Sequence, residues 1–322
     1  MIRRHLPSLK AAYWVIMGPV LLAGLLACSA PSDRETLTVF AAASLTQAFT
    51  EAAVAFEQEH PEYSVKLNFD GSQRLRVQLD HGARADVFAS ADERQMDLAR
   101  ESGLLASEAV AFATNTMIVA VSMQAGRAGQ AAAESGTTHA GATIRALADL
   151  AGRNVKLVLA HPEVPAGRYA MAVIESLGED ARFGPQYSAQ LLENVVSLEL
   201  NVRGVLQKVA LGEADAGFVY ASDLHSVKNA VKNILSLPVP QEANVAAVYP
   251  VSVLRGTANQ ESAETFIQFL TSPRGQRILQ NHGFGPVNSH NGSPSGASPK
   301  LSWESPAKAD LGLIHGPGER EV

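Results

Sequence analysis

Two hydrophobic rhythms alternate along most of this chain. Residues 37–42 (LTVFAA) form a short, β-prone apolar run. From Leu45 the apolar spacing becomes helical, through Phe49, Ala52 and Phe56, and His60-Pro61 ends it. Tyr63, Val65, Leu67 and Phe69 then alternate with polar residues, which predicts a strand over 63–69. A helix is expected near 75–79, a short strand over 85–90 (ADVFAS), and a helix over 92–102 with Asp92 near its start. Strand patterns follow at 116–122 and 155–160, and a helix over 165–177. Residues 195–200 read as extended, 202–211 as helical and 216–220 (AGFVY) as extended. Strands are predicted at 234–239 and 245–254, and one long amphipathic helix over 261–281. Residues 124–143 have no clear period and read as a loop or a weak helix. Strands alternating with helices imply an α/β fold with largely parallel sheets.

The two ends of the chain break this rhythm. MIRRHLPSLK carries three cations and no anion, and the apolar run AAYWVIMGPVLLAGLLAC follows it. This is the pattern of a secretory signal peptide over residues 1–27. The run stops at Leu25-Leu26-Ala27-Cys28, which resembles a bacterial lipoprotein cleavage box. Cys28 is the sole cysteine and so has no intrachain disulfide partner. A lipidated N-terminus at Cys28, holding the protein to a membrane, is the expectation, with an uncleaved membrane anchor as the alternative. Residues 28–36 then read as a tether, and the Ser-, Pro- and Gly-rich stretch 288–322 as a disordered tail. With 322 residues, 46% of them hydrophobic, the chain between these ends is long enough to bury a sizeable core. Loss of residues 1–27 removes Arg3, Arg4 and Lys10, taking the formal net charge from −6 to −9. That charge argues against nucleic acid as a partner. A monomer is expected.

Enzyme chemistry finds little support. None of the nine histidines pairs with another at i, i+4 or with the cysteine, so a zinc or redox site is not indicated. G-x-S-x-G and G-x-x-x-x-G-K-[ST] are both absent. An exported α/β chain of this kind fits a two-lobed binding protein with a ligand cleft beyond the carboxyl ends of its strands. Crossings near Asn115 and Tyr249 would make 37–115 plus 250–287 one lobe and 116–249 the other.

Four strand-to-helix junctions are rich in small or polar residues: Ala43-Ser44, Gly71-Ser72, Pro165-Ala166-Gly167 and Asn201-Val202-Arg203-Gly204. Each leaves backbone N–H groups without helical partners, at the positive end of a helix dipole. Several such ends aimed at one cleft would hold a small anion without lysine or arginine. Ordinary N-capping by Ser44 and Ser72 is the competing explanation.

The motifs VFAAASLT, ADVFASAD, PEVPAGRYA, NVRGVL and AGFVYASD occur in the order found in periplasmic molybdate-binding proteins of ABC importers. The chain resembles that family over residues 37–287. The resemblance implies a type II periplasmic-binding-protein fold, each lobe a mainly parallel sheet flanked by helices, with the ligand between the lobes. It implies a non-enzymatic carrier without cofactor, lipid-anchored on the periplasmic or cell-surface side, that passes molybdate or tungstate to a membrane permease. It also implies an oxyanion held by Ser44 and Ser72 through hydroxyl and amide, by the amides of Ala166 and Val202, and by the Tyr220 hydroxyl, with no direct metal ligand. The donor within 161–168 could be a neighbour of Ala166. Asp70, two positions before Ser72, is expected to point away, because its carboxylate would repel an anion. Arg74, Arg76, Arg168 and Arg203 are expected to face solvent or brace loops. The alternatives are a binding protein for another tetrahedral oxyanion such as sulfate, and an exported enzyme acting on a phosphorylated substrate.

Overall fold

The computed structural model describes residues 34–123, 144–227 and 233–287. The signal peptide, Cys28 and most of the tether, the 124–143 segment and the 288–322 tail lie outside the described residues. Among the described residues ten strands form two five-stranded sheets. The first contains β1 (Glu35–Ala42), β2 (Tyr63–Asp70), β3 (Val87–Ala89), β4 (Val110–Asn115) and β10 (Ala247–Val253), in the order β2-β1-β3-β10-β4. The second contains β5 (Met117–Ser122), β6 (Leu157–Ala160), β7 (Val195–Glu199), β8 (Ala216–Tyr220) and β9 (Ile234–Pro238), in the order β7-β6-β8-β5-β9.

Each sheet is mixed, which corrects the expectation of mainly parallel sheets. β1 pairs in parallel with β2 and β3, and β6 with β7 and β8. β10 is antiparallel to β3 and β4, and β5 to β8 and β9. The reason is the path of the chain. The strands that carry it out of and back into each lobe, β4 with β10 and β5 with β9, lie side by side and therefore run in opposite directions.

Thr116 alone separates β4 from β5 in the first crossing. The second runs through residues 239–246, just after Pro238. Asn244 joins the two crossings: its Oδ1 accepts from the Met117 N–H at 2.9 Å and its Nδ2 donates to the Met117 carbonyl at 2.8 Å. The return to the first sheet thus precedes Tyr249, which already pairs with Ala113. Pro250 has no N–H to donate, and the ladder shifts register between Tyr249 and Pro250.

The parallel strand β1 is apolar on both faces because both are covered. Leu37, Val39 and Ala41 pack in the main core with Phe49 and Phe56 of helix α1 (Thr46–Glu59). Phe40, on the opposite face, joins Leu75 and Leu79 of α2 (Ser72–Asp80) and Met96 and Ala99 of α3 (Glu93–Glu101). In the second lobe α4 (Pro165–Glu179), α5 (Tyr187–Glu193), α6 (Val202–Leu211) and α7 (Ala221–Val227) accompany the sheet. The helix expected over 261–281 is two: α8 (Gln260–Thr271) and α9 (Pro273–Asn281). Ser272, held extended at φ −68° and ψ 162°, ends the first and caps the second, its Oγ accepting from the Gly275 N–H. The residue before a proline avoids the helical region, and proline suits a first helical position.

Candidate functional site

The four junctions meet. A cleft of about 200 Å³, counting its mouth, lies between the lobes and is lined by residues 42–44, 71–72, 91, 164–166, 201–202 and 220. Ser44, Ser72, Ala166, Val202 and Tyr220 therefore face one small space, each at the carboxyl end of a strand. The first lobe supplies Ser44 in a short 3-10 turn after β1, and Ser72 at the first position of α2. The second supplies Ala166 at the second position of α4, Val202 at the first position of α6, and Tyr220 at the end of β8. Amides in a first helical turn have no intrahelical acceptor.

The serines are not helix caps. Neither the turn at Ala43–Leu45 nor α2 carries a side-chain cap bond. Ser72 Oγ instead accepts from the Ala91 N–H at 3.0 Å, which leaves its own proton free to be donated. Ser44 Oγ lies 3.0 Å from Tyr249 Oη. Tyr220 is 1% exposed, and its hydroxyl has no hydrogen-bond partner among the described residues. Burial pushes its pKa well above the ordinary tyrosine value, so the hydroxyl keeps its proton. A buried polar group left unpaired costs about 1–3 kcal/mol. Two glycines let backbones approach around this space. A Cβ on Gly167 would sit 2.1 Å from the His161 carbonyl oxygen, and one on Gly71 would sit 2.6 Å from the Leu200 carbonyl oxygen of the other lobe.

Among the described residues no charged side chain lines the cleft. Asp70 is turned to its own loop and across to the other lobe. It accepts from the Gly71 N–H at 2.8 Å and from Asn201 Nδ2 at 3.2 Å, and pairs with Arg74 at 3.2 Å. Arg76 pairs with Asp80, one turn along α2. Arg168 and Arg203 brace the lobes against each other. Arg168 reaches the fully buried Asp92, which caps α3 by accepting from the Gln95 N–H. Arg203 donates to the Ala43 carbonyl at 3.2 Å and lies 3.8 Å from Asp223. Burial raises the carboxyl of Asp223 to about 6, against the pull of Arg203. Gln73 adds a further bond between lobes, to the Leu200 carbonyl at 2.9 Å. Sequence reasoning missed Asn115, Ser222 and Tyr249 behind Ser44. The sequence signal for Asn115 and Tyr249 was their place at the expected crossings, and for Ser222 its place in the AGFVYASD motif.

The fold and the site together define a class: a two-lobed binding protein whose interlobe cleft offers uncharged hydrogen-bond donors. The chain belongs to the bacterial extracellular solute-binding protein family, whose profile matches residues 37–285. The molybdate-binding protein ModA of Mycobacterium tuberculosis is 36% identical over 279 residues, covering 84% of this chain and 95% of the relative. ModA of Escherichia coli is 31% identical over 257 residues, covering 80% and 91%. The periplasmic molybdate-binding protein of Azotobacter vinelandii has the same fold, with a TM-score of 0.61 at 21% identity over 77% of this chain and 98% of that one. As a solute-binding protein the chain is a carrier without a cofactor, not an enzyme.

Proposed function

We propose that this protein captures molybdate, and tungstate by the same contacts, and delivers it to an ABC permease. One observation carries this reading: the Tyr220 hydroxyl, buried and unpartnered, faces a cleft also lined by the starts of α2, α4 and α6. The names of the relatives select the anion. In this reading Ser44 and Ser72 donate through hydroxyl and amide, Ala166 and Val202 through amides, and Tyr220 through its hydroxyl. Seven neutral donor groups from five residues suit a fully ionised tetrahedral anion. Hydrogen phosphate brings a proton of its own that would meet a donor and stay unpaired, at about 1–3 kcal/mol. Sulfate has no such proton and is selected against by size.

The same reading makes the protein a monomeric lipoprotein. Its signal peptide 1–27 is removed, Cys28 is lipidated, and residues 28–34 tether the body outside the cytoplasmic membrane, shorter than the expected 28–36 because Glu35 and Thr36 already pair in β1. The bonds across the cleft from Gln73, Asn201, Arg168 and Arg203 are those of a closed form, so that binding and closure are coupled. Calorimetric titration against molybdate, tungstate, sulfate and phosphate tests the ligand. Saturable single-site binding of molybdate and tungstate is expected, with ligand at a hundred times its Kd adding about 2.7 kcal/mol to stability. Phosphate or sulfate binding as tight as molybdate would overturn the choice of anion.

A further inference from the structure

Behind Ser44 lies a buried polar chain that the cleft lining does not include. Tyr249 is fully buried, and its Oη lies 3.0 Å from Ser44 Oγ and 3.4 Å from Asn115 Nδ2. Asn115 is the last residue of β4, at the first crossing. Its amide has one orientation that satisfies its surroundings. Oδ1 accepts from the Thr116 N–H at 3.0 Å and the Ser222 N–H at 3.5 Å, while Nδ2 donates to Ser222 Oγ at 2.7 Å. An amide nitrogen can only donate. Tyr249 Oη therefore accepts from Asn115, and its own proton is free for the other partner in reach among the described residues, Ser44 Oγ. Once Ser44 Oγ accepts that proton, its own O–H is left to point into the cleft.

We infer that Asn115 and Tyr249 are positioning residues that fix Ser44 as a donor toward the ligand and thereby exclude anions that carry a proton. This rests on the oxyanion reading of the cleft and extends it to specificity. A serine hydroxyl can donate or accept, so a serine alone discriminates poorly between a bare oxyanion and a protonated one. With one lone pair taken by Tyr249 and its O–H turned into the cleft, Ser44 presents a hydrogen rather than a lone pair to the O–H of hydrogen phosphate. Bonds in such a chain also polarise one another, which strengthens the last donor. Burial raises the Tyr249 pKa well above its ordinary value, so the phenol keeps the proton that the relay needs.

Tyr249→Phe removes only the hydroxyl. The ring stays held edge-on by Phe112 and Phe284, with centroids 6.3 and 5.3 Å away. Molybdate affinity should fall about two- to tenfold, the loss of one neutral hydrogen bond behind the site. The freed Ser44 oxygen can then accept from hydrogen phosphate, so the ratio of molybdate to phosphate affinity should fall by about tenfold or more, most at the lower pH, where more phosphate is protonated. Asn115→Asp is the second variant. A carboxylate there accepts a hydrogen bond from the Tyr249 O–H, reverses the chain and should lower the same ratio. A role in packing alone would change the melting temperature and leave the ratio fixed. The experiment is calorimetric titration of the unmodified chain and both variants with molybdate and with inorganic phosphate at two pH values. A reduced ratio in both variants supports the relay. An unchanged ratio in either correctly folded variant overturns it while leaving the oxyanion reading standing. Failure of the unmodified chain to bind molybdate overturns both.

Discussion

The two walls of the cleft reach the same chemistry by different means. The first lobe presents hydroxyls, each held from behind by another group: Ser72 by the Ala91 N–H, and Ser44 by the Tyr249 hydroxyl. The second lobe presents the first-turn backbones of α4 and α6 at Ala166 and Val202, together with one phenol. Donors of the first kind depend on side-chain identity and on what stands behind them. Donors of the second kind depend on where a helix begins, and any residue except proline would provide the amide. The buried carboxylates differ in the same way. Asp92 of the first lobe is paired directly with a guanidinium, whereas Asp223 lies 3.8 Å from Arg203 and holds the Tyr220 N–H at 3.1 Å.

Breaking the first wall should have the largest effect. The double variant Ser44→Ala, Ser72→Ala removes two hydrogen bonds to a charged partner, each worth about 1.5–3 kcal/mol. Molybdate affinity should fall by about a hundredfold or more in a calorimetric titration. The second wall needs a backbone change, and Val202→Pro supplies it. Asn201 before it is already extended, at φ −158° and ψ 165°, which a following proline tolerates. Proline also suits the first position of a helix. Affinity should drop about tenfold to a hundredfold with the circular dichroism spectrum retained. Val202→Ala is the control that sharpens the contrast and should stay within about threefold of the unmodified protein, since the amide remains.

The buried carboxylate of the second lobe gives a smaller effect, read in stability. The Asp223 carboxyl is raised from 3.8 to about 6 in the folded protein. Between about pH 4 and 6 the folded state keeps a proton that the unfolded state has released, so this group's contribution is greatest at the acid end and is lost as pH rises. Asp223→Asn should shrink the decline of stability across that window by about 1 kcal/mol or more, measured by denaturant unfolding. An unchanged slope would mean that burial does not raise the Asp223 carboxyl in the folded protein.

The contrast between the walls also explains what could be read from sequence. The strand and helix rhythm located β1, α1, α6 and β8 within a few residues, because buried parallel strands and amphipathic helices write their periods directly into residue type. The serines were visible as residues, and the amide donors only as strand-to-helix junctions whose convergence spacing cannot prove. What was missed depends on pairing between distant segments. β4 was not predicted, and its antiparallel partnership with β10 follows from how the chain crosses between lobes. The break at Ser272 was legible in Ser272-Pro273, but a continuous apolar stripe over 261–281 outweighed it. Asn115, Ser222 and Tyr249 come from three separate segments and meet only in the fold, so no local pattern announces them.

Tyr220→Phe tests the central claim most directly, because it separates an anion donor from a structural hydroxyl in one comparison. The Tyr220 hydroxyl is buried and has no partner among the described residues. Removing it should leave the ligand-free protein as stable as before or slightly more stable, since an unpaired polar group is lost. The same change should weaken molybdate about tenfold to a hundredfold by calorimetric titration. Undiminished molybdate affinity in Tyr220→Phe would contradict the account, and a loss of ligand-free stability alone would assign that hydroxyl to the fold rather than to the site.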